Sequence, residues 1–278
     1  MYLNRETIET KGDLCKSLLI KIFYKLPMSV NTLGIIPARY ASSRFPGKPL
    51  VMIDGKSMIM RVYEQTLKTT VLDRVIVSTD DERIFNHVKD CGGEVMMTSE
   101  SHVSGTSRIG EVVESLSFLG HCPYDVIVNI QGDEPFIDPS QIDLTVSLFS
   151  NPQVLIGTLI RKIESSEDLL NPNVVKVIVD HEGKAMYFSR SPIPYFRGIP
   201  QDSWLDNNDY YKHIGLYAYR SSVLKTLLNL PPAPPESAES LEQLRWLYHG
   251  YNIHTAVTDI ETVGIDVPED LLKLTNNA

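Results

Sequence analysis

The stretch that decides the fold runs Leu33-Gly-Ile-Ile-Pro-Ala-Arg-Tyr-Ala-Ser-Ser-Arg-Phe-Pro-Gly-Lys-Pro-Leu50. It opens on an apolar run that is typical of a buried strand, and it continues into a loop rich in cations and prolines. A helical period of apolar residues follows from Met58 to Leu67. A strand that leads through a loop into a helix predicts the first unit of an α/β fold.

The same alternation continues through the first half of the chain. Further strands are predicted at Arg74–Ser78, Glu94–Met97 and Asp125–Ile130, and helices at Asp81–Cys91 and Thr106–Leu119. Gly92-Gly93 fits the C-terminal cap of the first of these helices. Strands separated by helices of this length predict a doubly wound, mostly parallel sheet in a Rossmann-like three-layer arrangement.

The second half is richer in strands. Strands are predicted at Val154–Ile160, Val174–Asp180, Ala185–Ser189, Tyr210–Tyr219 and Ile253–Val257, with a hairpin turn at 181–183. The proline run 231–235 predicts a rigid, non-helical segment, followed by a helix at Ala238–Tyr248, and Pro268 opens a final helix. We therefore expect one domain over 28–278, with a nucleotide-binding part at about 33–150 and a smaller β-rich part at about 151–278.

Composition excludes several classes of protein. With 278 residues and 42% hydrophobic residues the chain can bury a large core, and a formal net charge of −9 argues against a nucleic-acid or anionic-membrane binder. Three widely spaced cysteines support neither a disulfide framework nor a zinc site, which favours a reducing cytoplasm. The apolar stretch 18–26 is short and contains two lysines, so neither membrane insertion nor secretion is expected.

Residues 1–27 precede Met28 and contain no recognisable motif. We interpret them as a non-essential N-terminal extension, which leaves open whether they belong to the natural start. The alternative is an amphipathic basic anchor helix.

The loop after the first strand carries Arg39, Ser43, Arg44 and Lys48 within ten residues. Ligands of α/β sheets bind at the carboxyl ends of strands, and guanidinium groups match phosphate oxygens. The loop therefore predicts a polyphosphate site, with a solvated basic loop as the alternative. Neither GxGxxG nor GxxxxGK[ST] occurs in the chain, so a dinucleotide dehydrogenase and a P-loop NTPase lose their main support.

Asp133 follows the predicted strand Asp125–Ile130 and so reaches the same edge of the sheet. A carboxylate beside a polyphosphate loop is what a hard cation such as Mg²⁺ prefers. Ser104-Gly-Thr-Ser-Arg108 leads into a helix start, where backbone N–H groups and an arginine suit a pyrimidine edge or a phosphate. An ordinary helix cap is the alternative for that segment.

The chain resembles the CMP-Kdo synthetases, which are 3-deoxy-manno-octulosonate (Kdo) cytidylyltransferases. The similarity begins at Ile35–Leu50 and continues through motifs in the family's order to the C-terminus. These motifs are Thr79-Asp80, Ser104-Gly-Thr-Ser-Arg108, Val128-Asn-Ile-Gln-Gly-Asp-Glu-Pro135, Asn171-Pro-Asn173, Tyr187-Phe-Ser-Arg190, Lys212-His-Ile-Gly215, Leu241-Glu-Gln-Leu-Arg245 and Gly264-Ile-Asp-Val-Pro-Glu-Asp-Leu271. Ser107 stands where many members have an acidic residue, so that position is not expected to be essential.

The resemblance implies a nucleotide-diphospho-sugar transferase fold and an enzyme that forms CMP-Kdo and pyrophosphate from CTP and Kdo for lipopolysaccharide biosynthesis. It implies a cytoplasmic homodimer that uses Mg²⁺, with Asp133 as the principal metal ligand and Asp266 as the second. An acidic residue at a helix N-terminus is the alternative for Asp266. Arg39 and Lys48 are implied to act in catalysis alongside the two aspartates.

The same resemblance assigns the remaining site residues. Nucleotide-binding positions are Arg39, Ser43, Arg44, Lys48, Thr79, Asp80, Gly105, Thr106, Arg108 and Gln131. Sugar-binding positions are Gln131, Arg190, His213, Tyr217, Glu242 and Gln243. Several have structural alternatives: His213 as a core histidine, Tyr217 as sheet packing, and Ser240 with Gln243 as a capping box.

Three other functions are alternatives to that of a CMP-Kdo synthetase. A CMP-sialate synthetase shares the fold, but the motifs at His213 and Glu242-Gln243 resemble the Kdo branch. A metal-dependent glycosyltransferase is expected to show a DxD motif, which Asp133-Glu134-Pro135 is not. A regulatory module without catalysis is not expected to keep Asp133, Asp266 and the cationic loop. Kdo and a close analogue such as its 8-amino form stay open.

Overall fold

A computed structural model describes residues 30–41, 45–118, 122–261, 264–265 and 267–275, the side chains of 272–275 excepted. The described elements belong to one unit, Asn31–Ala278. The predicted extension 1–27 lies outside the described residues.

The strands occur where apolar and β-branched residues run together. They are β1 Thr32–Ala38, β2 Met52–Ile53, β3 Lys56–Ser57, β4 Arg74–Thr79, β5 Val95–Met97, β6 Val126–Asn129, β7 Ile156–Lys162, β8 Lys176–Val179, β9 Ala185–Ser189, β10 Tyr211–Arg220 and β11 Ile253–Val257.

The helices lie between these strands. They are α1 Met58–Thr66, α2 Glu82–Asp90, α3 Gly105–Leu116, α4 Pro139–Ser147, α5 Ser166–Leu170, α6 Trp204–Asn207, α7 Ser221–Leu228, α8 Pro234–Glu239, α9 Gln243–Tyr248 and α10 Pro268–Thr275. Short 3₁₀ turns lie at Lys48–Leu50, Leu148–Ser150 and Gln201–Ser203.

The predicted fold class is confirmed. In the part of the chain that the structure describes, nine strands form one sheet with the order β11-β7-β10-β6-β1-β4-β5, and β8 and β9 extend it beside β10. Strand β1 is parallel to both β4 and β6, β4 is parallel to β5, and β11 is parallel to β7. The predicted turn at 181–183 joins β8 to β9 as an antiparallel hairpin.

Strand β10 is inserted antiparallel between β6 and β7. It brings residues of the second half of the chain directly beside the first half. One apolar core spans both halves, from Leu33 and Ile127 to Tyr219 and Trp246. The nucleotide-binding and β-rich parts predicted from the sequence therefore share their packing.

The helix predicted at about Ala238–Tyr248 ends where predicted but is not continuous, and the non-helical reading of the whole proline run is wrong. Helix α8 begins at Pro234, whose fixed φ suits the first turn, and it ends at Glu239, because the next residue, Ser240, has a left-handed backbone with φ 53°. A second helix, α9, then starts at Gln243. The capping box considered for Ser240 and Gln243 does not form, because Glu242 is the residue that precedes α9.

No helix among the described residues is long and apolar enough to cross a bilayer.

Candidate active site

A cavity of about 590 Å³ lies where β1 and β6 end and β10 passes. Ten of the residues predicted from the sequence line it, from both halves of the chain. They are Arg39, Lys48, Gly105, Thr106, Gln131, Asp133, His213, Tyr217, Glu242 and Gln243.

Lys48 and Asp133 form the charged centre of this cavity. Gly47 adopts a left-handed backbone with φ 74°, which turns the loop after β1 into the 3₁₀ turn that carries Lys48. The Nζ atom of Lys48 donates to Asp133 Oδ2 at 2.7 Å and to the backbone oxygen of Ile265 at 2.9 Å. The pair joins the loop after β1, the loop after β6 and the segment that leads to α10.

The loop after β6 approaches β1 very closely. A Cβ atom on Gly132 would lie 2.6 Å from the backbone oxygen of Pro37, so a side chain at this position would force the backbone apart. Ile265 N also donates to the backbone oxygen of Asp133 at 2.9 Å. Asp133 is therefore held between two backbone segments, and its side chain keeps 32% of its surface exposed.

Glu134 does not act as a second carboxylate at this edge. Burial and, to a smaller extent, the neighbouring charge of Asp133 together raise its pKa to about 8. Its Oε2 atom is buried and has no hydrogen-bond partner among the described residues. Glu134 is therefore protonated at neutral pH, and Asp133 supplies the negative charge.

The N-terminus of α3 forms another wall. Ser104 caps the helix by accepting a hydrogen bond from Ser107 N at 3.2 Å, which leaves Gly105 and Thr106 at the cavity. Thr106 Oγ1 donates to Glu242 Oε2 at 2.6 Å, and Ser104 Oγ lies 3.3 Å from Glu242 Oε1. Glu242, which is predicted as a sugar ligand, therefore also contacts the segment Ser104–Arg108, the loop predicted to bind the nucleotide base (the base loop).

Arg39 follows β1 and lies beside the segment that leads into α3. Its Nη2 group donates to the backbone oxygen of His102, and the His102 ring is paired with Glu111. Burial lowers the pKa of Arg39, and the neighbouring charge of Arg108 lowers it further. An anion at this position would therefore meet a partly desolvated guanidinium, which binds phosphate strongly.

Arg108, Asp80 and Thr79 do not line the cavity. The side chain of Arg108 is fully buried, and its Nη2 donates to Asp80 Oδ2 at 2.6 Å. Its Nη1 donates to Thr98 Oγ1. In this arrangement the guanidinium ties α3 to the end of β4 and lies outside the cavity lining.

Of the residues predicted to bind the sugar, His213 and Tyr217 lie on β10, and Gln131 follows β6 and contacts β10. Gln131 Nε2 donates to the backbone oxygen of Gly215 at 2.9 Å, and His213 Nε2 lies 3.1 Å from Thr158 Oγ1. Arg190 lies apart from the cavity lining, where its Nε donates to the backbone oxygen of Glu239 at 2.7 Å and its Nη1 to that of Pro172 at 3.0 Å.

Sequence reasoning missed three polar or aromatic residues of the lining, Asn129, Tyr219 and Trp246. Asn129 Oδ1 and the hydroxyls of Tyr217 and Tyr219 are buried and make no hydrogen bond of good geometry in the described part of the chain, although Thr158 lies close to the Tyr217 hydroxyl, and Thr106 and Asn129 lie close to that of Tyr219. Burial raises the pKa values of both tyrosines, so both hydroxyls stay protonated. The period of two along β10 from Tyr217 was the available indication for Tyr219.

Three predicted residues, Ser43, Arg44 and Asp266, lie outside the described residues. The neighbours of Asp266 are described, and Ile265 contacts both Lys48 and Asp133.

The fold and the site together define a class of protein. A mostly parallel α/β sheet carries, at the carboxyl ends of its strands, a lysine, an aspartate, a helix N-terminus and a wall of hydrogen-bonding side chains. This is the arrangement of an enzyme that binds a nucleotide beside a polyhydroxylated acceptor.

Comparisons with known proteins specify the family. The family model described as Cytidylyltransferase matches residues 33–256. The chain is 51% identical to the 3-deoxy-manno-octulosonate cytidylyltransferase of Cytophaga hutchinsonii, over 90% of this chain and 98% of the relative, and 54% identical to that of Parabacteroides distasonis, over 87% and 95%. A solved structure of CMP:2-keto-3-deoxy-manno-octonic acid synthetase complexed with CTP superposes with a TM-score of 0.81 at 41% identity, covering 89% of this chain and 98% of the other. The chain belongs to the 3-deoxy-manno-octulosonate cytidylyltransferases of the cytidylyltransferase family.

Proposed function

We propose that the chain transfers CMP from CTP to Kdo, giving CMP-Kdo and pyrophosphate, in the 590 Å³ cavity. The observation that carries the proposal is the meeting of two sets of residues in one cavity. Lys48 and Asp133 lie on one side, and His213, Tyr217 and Glu242 lie on the other. The CTP complex of the solved relative and the names of the curated relatives support the same donor and acceptor.

Different residues of the cavity are assigned to the triphosphate and to the base of CTP. Arg39 and Lys48, with Ser43 and Arg44 from the same loop, hold the triphosphate. Gly105 and Thr106 contact the cytosine through the N-terminus of α3, where backbone N–H groups point at the ligand. Because phosphoryl-type transfer needs alignment and neutralised charge more than covalent help, positioning is the main contribution of these side chains.

On the acceptor side, the available groups suit a polyhydroxylated sugar. Gln131, Glu242 and Gln243 accept or donate hydrogen bonds to hydroxyls, and the tyrosine hydroxyls of β10 are donors. We assign the sugar carboxylate to the cationic side of the cavity. Arg190 would reach the sugar only after leaving the backbone oxygens of Glu239 and Pro172.

The donor set also fits Mg²⁺. Of the Asp133 carboxylate, only Oδ2 is engaged by a hydrogen bond among the described residues, and Mg²⁺ commonly takes one or two carboxylates together with phosphate oxygens and water. Among the described residues, no group of three acidic, histidine or cysteine side chains is placed so that it could hold a metal ion. Asp133, with Asp266, would hold the ion. It would neutralise charge on the phosphates and lower the pKa of the attacking hydroxyl.

The test is pyrophosphate release with CTP and Mg²⁺ and a panel of acceptors: Kdo, its 8-amino form, N-acetylneuraminate and no acceptor. Kdo is expected to give the highest kcat/KM, and EDTA is expected to stop turnover. ATP and GTP in place of CTP are expected to give little product, because a purine leaves the base-binding groups unpaired. The Lys48→Ala protein controls for contaminating activity. Faster turnover of N-acetylneuraminate would replace the proposal with a CMP-sialate synthetase.

We also assign a cytoplasmic homodimer. Light scattering of the purified chain is expected to give twice the 31.3 kDa chain mass. A monomer at the concentrations of the assay would refute the dimer.

A further inference from the structure

An irregularity in β10 places two backbone oxygens and an imidazole around one hydroxyl, and the Tyr217 hydroxyl also lies close to it. The pairing of β10 with β7 shifts register between Ile214 and Tyr217. The side chain of Thr158 on β7 is fully buried at this shift. Its Oγ1 atom lies 2.8 Å from the backbone oxygen of Leu216, 3.1 Å from that of Ile214, and 3.1 Å from His213 Nε2.

The proton count at Thr158 decides the state of His213. A threonine hydroxyl has one proton, and both backbone oxygens can only accept. If that proton pointed at His213, two carbonyl oxygens would face the hydroxyl oxygen with no proton between them. The favourable arrangement directs the proton to the carbonyls. His213 Nε2 then meets a lone pair, and it forms a hydrogen bond only if it carries its own proton.

The ring of His213 is uncharged. It packs edge-on against Phe188, with the ring centres 5.2 Å apart, and against Tyr217 at 5.1 Å. Burial lowers its pKa to about 3. A neutral imidazole has one N–H group and one acceptor nitrogen. With the proton on Nε2, the acceptor is Nδ1, which has no hydrogen-bond partner among the described residues, and the ring lines the cavity.

We propose that Thr158 is a positioning residue that fixes His213 as the Nε2–H tautomer, so that Nδ1 accepts a hydrogen bond from a hydroxyl of the acceptor sugar. The identity of the sugar rests on the proposed function, whereas the tautomer does not. The opposite tautomer would present an N–H group to the sugar and would select for an acceptor atom at that position.

The tautomer is measured by long-range ¹H–¹⁵N correlation NMR of the full-length chain labelled with ¹⁵N-histidine, with His213→Asn to assign the signals. We expect an unprotonated Nδ1 and a protonated Nε2, unchanged between about pH 5.5 and 8. Thr158→Ser should keep this pattern, and Thr158→Val should lose it. A protonated Nδ1 in the unchanged protein overturns the proposal, whatever the enzyme's activity.

Steady-state kinetics provide the second readout. Thr158→Val should raise the KM for the sugar about three- to tenfold, as expected for one misdirected hydrogen bond, while the KM for CTP stays within about twofold. Thr158→Ser, which keeps the hydroxyl, should have the same KM for the sugar as the unchanged protein. The matched control is Thr145→Val, because Thr145 is equally buried and donates to the backbone oxygen of Gln141 in α4, outside the cavity.

Two kinetic results overturn the proposal: an unchanged sugar KM in Thr158→Val, or a rise of the same size in Thr145→Val. If the unchanged protein turns over no Kdo while NMR shows the Nε2–H tautomer, the proposed function fails and the tautomer stands.

Discussion

Replacing Asp133 by asparagine keeps the size of the side chain and removes its charge. The structure predicts a large effect on rate and a small effect on stability. The Asp133–Lys48 pair is 2.7 Å long, but its side chains keep 32% and 13% of their surface exposed. Partly exposed ion pairs stabilise a protein by about 0–1 kcal/mol, and Lys48 keeps its hydrogen bond to Ile265. We therefore expect the melting temperature to fall by no more than about 4 °C.

The rate should fall far more. A carboxylate that holds a divalent cation contributes several kcal/mol of charge stabilisation, and about 2.7 kcal/mol corresponds to a hundredfold in rate. We expect kcat for pyrophosphate release to fall by at least about a hundredfold, and raised Mg²⁺ to recover part of the loss if a second ligand still holds the ion.

The matched control is Asp138→Asn. Asp138 belongs to the same connection after β6, but its carboxylate caps α4 by accepting from Ser140 N at 2.9 Å, and it lies outside the cavity lining. Asparagine is an equally good cap, so this variant should keep both its rate and its melting temperature. A folded Asp133→Asn enzyme whose kcat stays within about threefold of the unchanged protein would refute the metal reading.

Three further predictions follow from single contacts. Arg108→Met should lower the free energy of unfolding in urea by about 3 kcal/mol, because it leaves the Asp80 carboxylate without its buried partner. The preference for CTP over ATP should not change. A loss of this preference with unchanged stability would instead show that Arg108 contacts the nucleotide base. Asp266→Asn should slow turnover about as much as Asp133→Asn under the metal reading, whereas a loss of about 1 kcal/mol in stability with a normal rate would make it a helix cap. The pKa of His213 is about 3 in the folded chain, below its usual value of 6.5, so the unfolded chain binds more protons between these values and stability falls as pH drops through them. Denaturation at about pH 7 and 4.5 should show a smaller acid loss for His213→Gln than for the unchanged protein, and equal losses would contradict the burial of a neutral ring.

Local patterns determine most of the sheet and therefore could be read in advance. The bounds of β9 and β11 agree with the sequence prediction residue for residue, because alternation and turn residues are properties of short segments. The break between α8 and α9 could not be read in this way. Ser240 takes a left-handed backbone where the helical period alone would continue, and Glu236 of α8 is paired with Arg245 of α9 across the break. Such a contact exists only in the folded chain.

The positions of the site residues in the fold could be predicted from the sequence, but their hydrogen-bond partners were harder to predict. Strand order brings Lys48 and Asp133 to one edge of the sheet, so both could be named from the sequence. Arg108 looked equally suited to a ligand, but the structure pairs it with Asp80, 28 residues earlier in the chain. Thr158 carries no sequence indication, because its importance comes from the register shift in β10.

The break before α9 also explains how one residue can belong to both the proposed nucleotide site and the proposed sugar site. Because the chain turns at Ser240, Glu242 faces the N-terminus of α3, where Thr106 and Ser104 approach its two carboxylate oxygens. Each carboxylate oxygen can accept more than one hydrogen bond, so a sugar hydroxyl can bind Glu242 while the base loop does. A shift of α3 on nucleotide binding would then move an acceptor group of the sugar site. If Glu242 binds the sugar as proposed, this carboxylate couples the binding of the sugar to the position of α3.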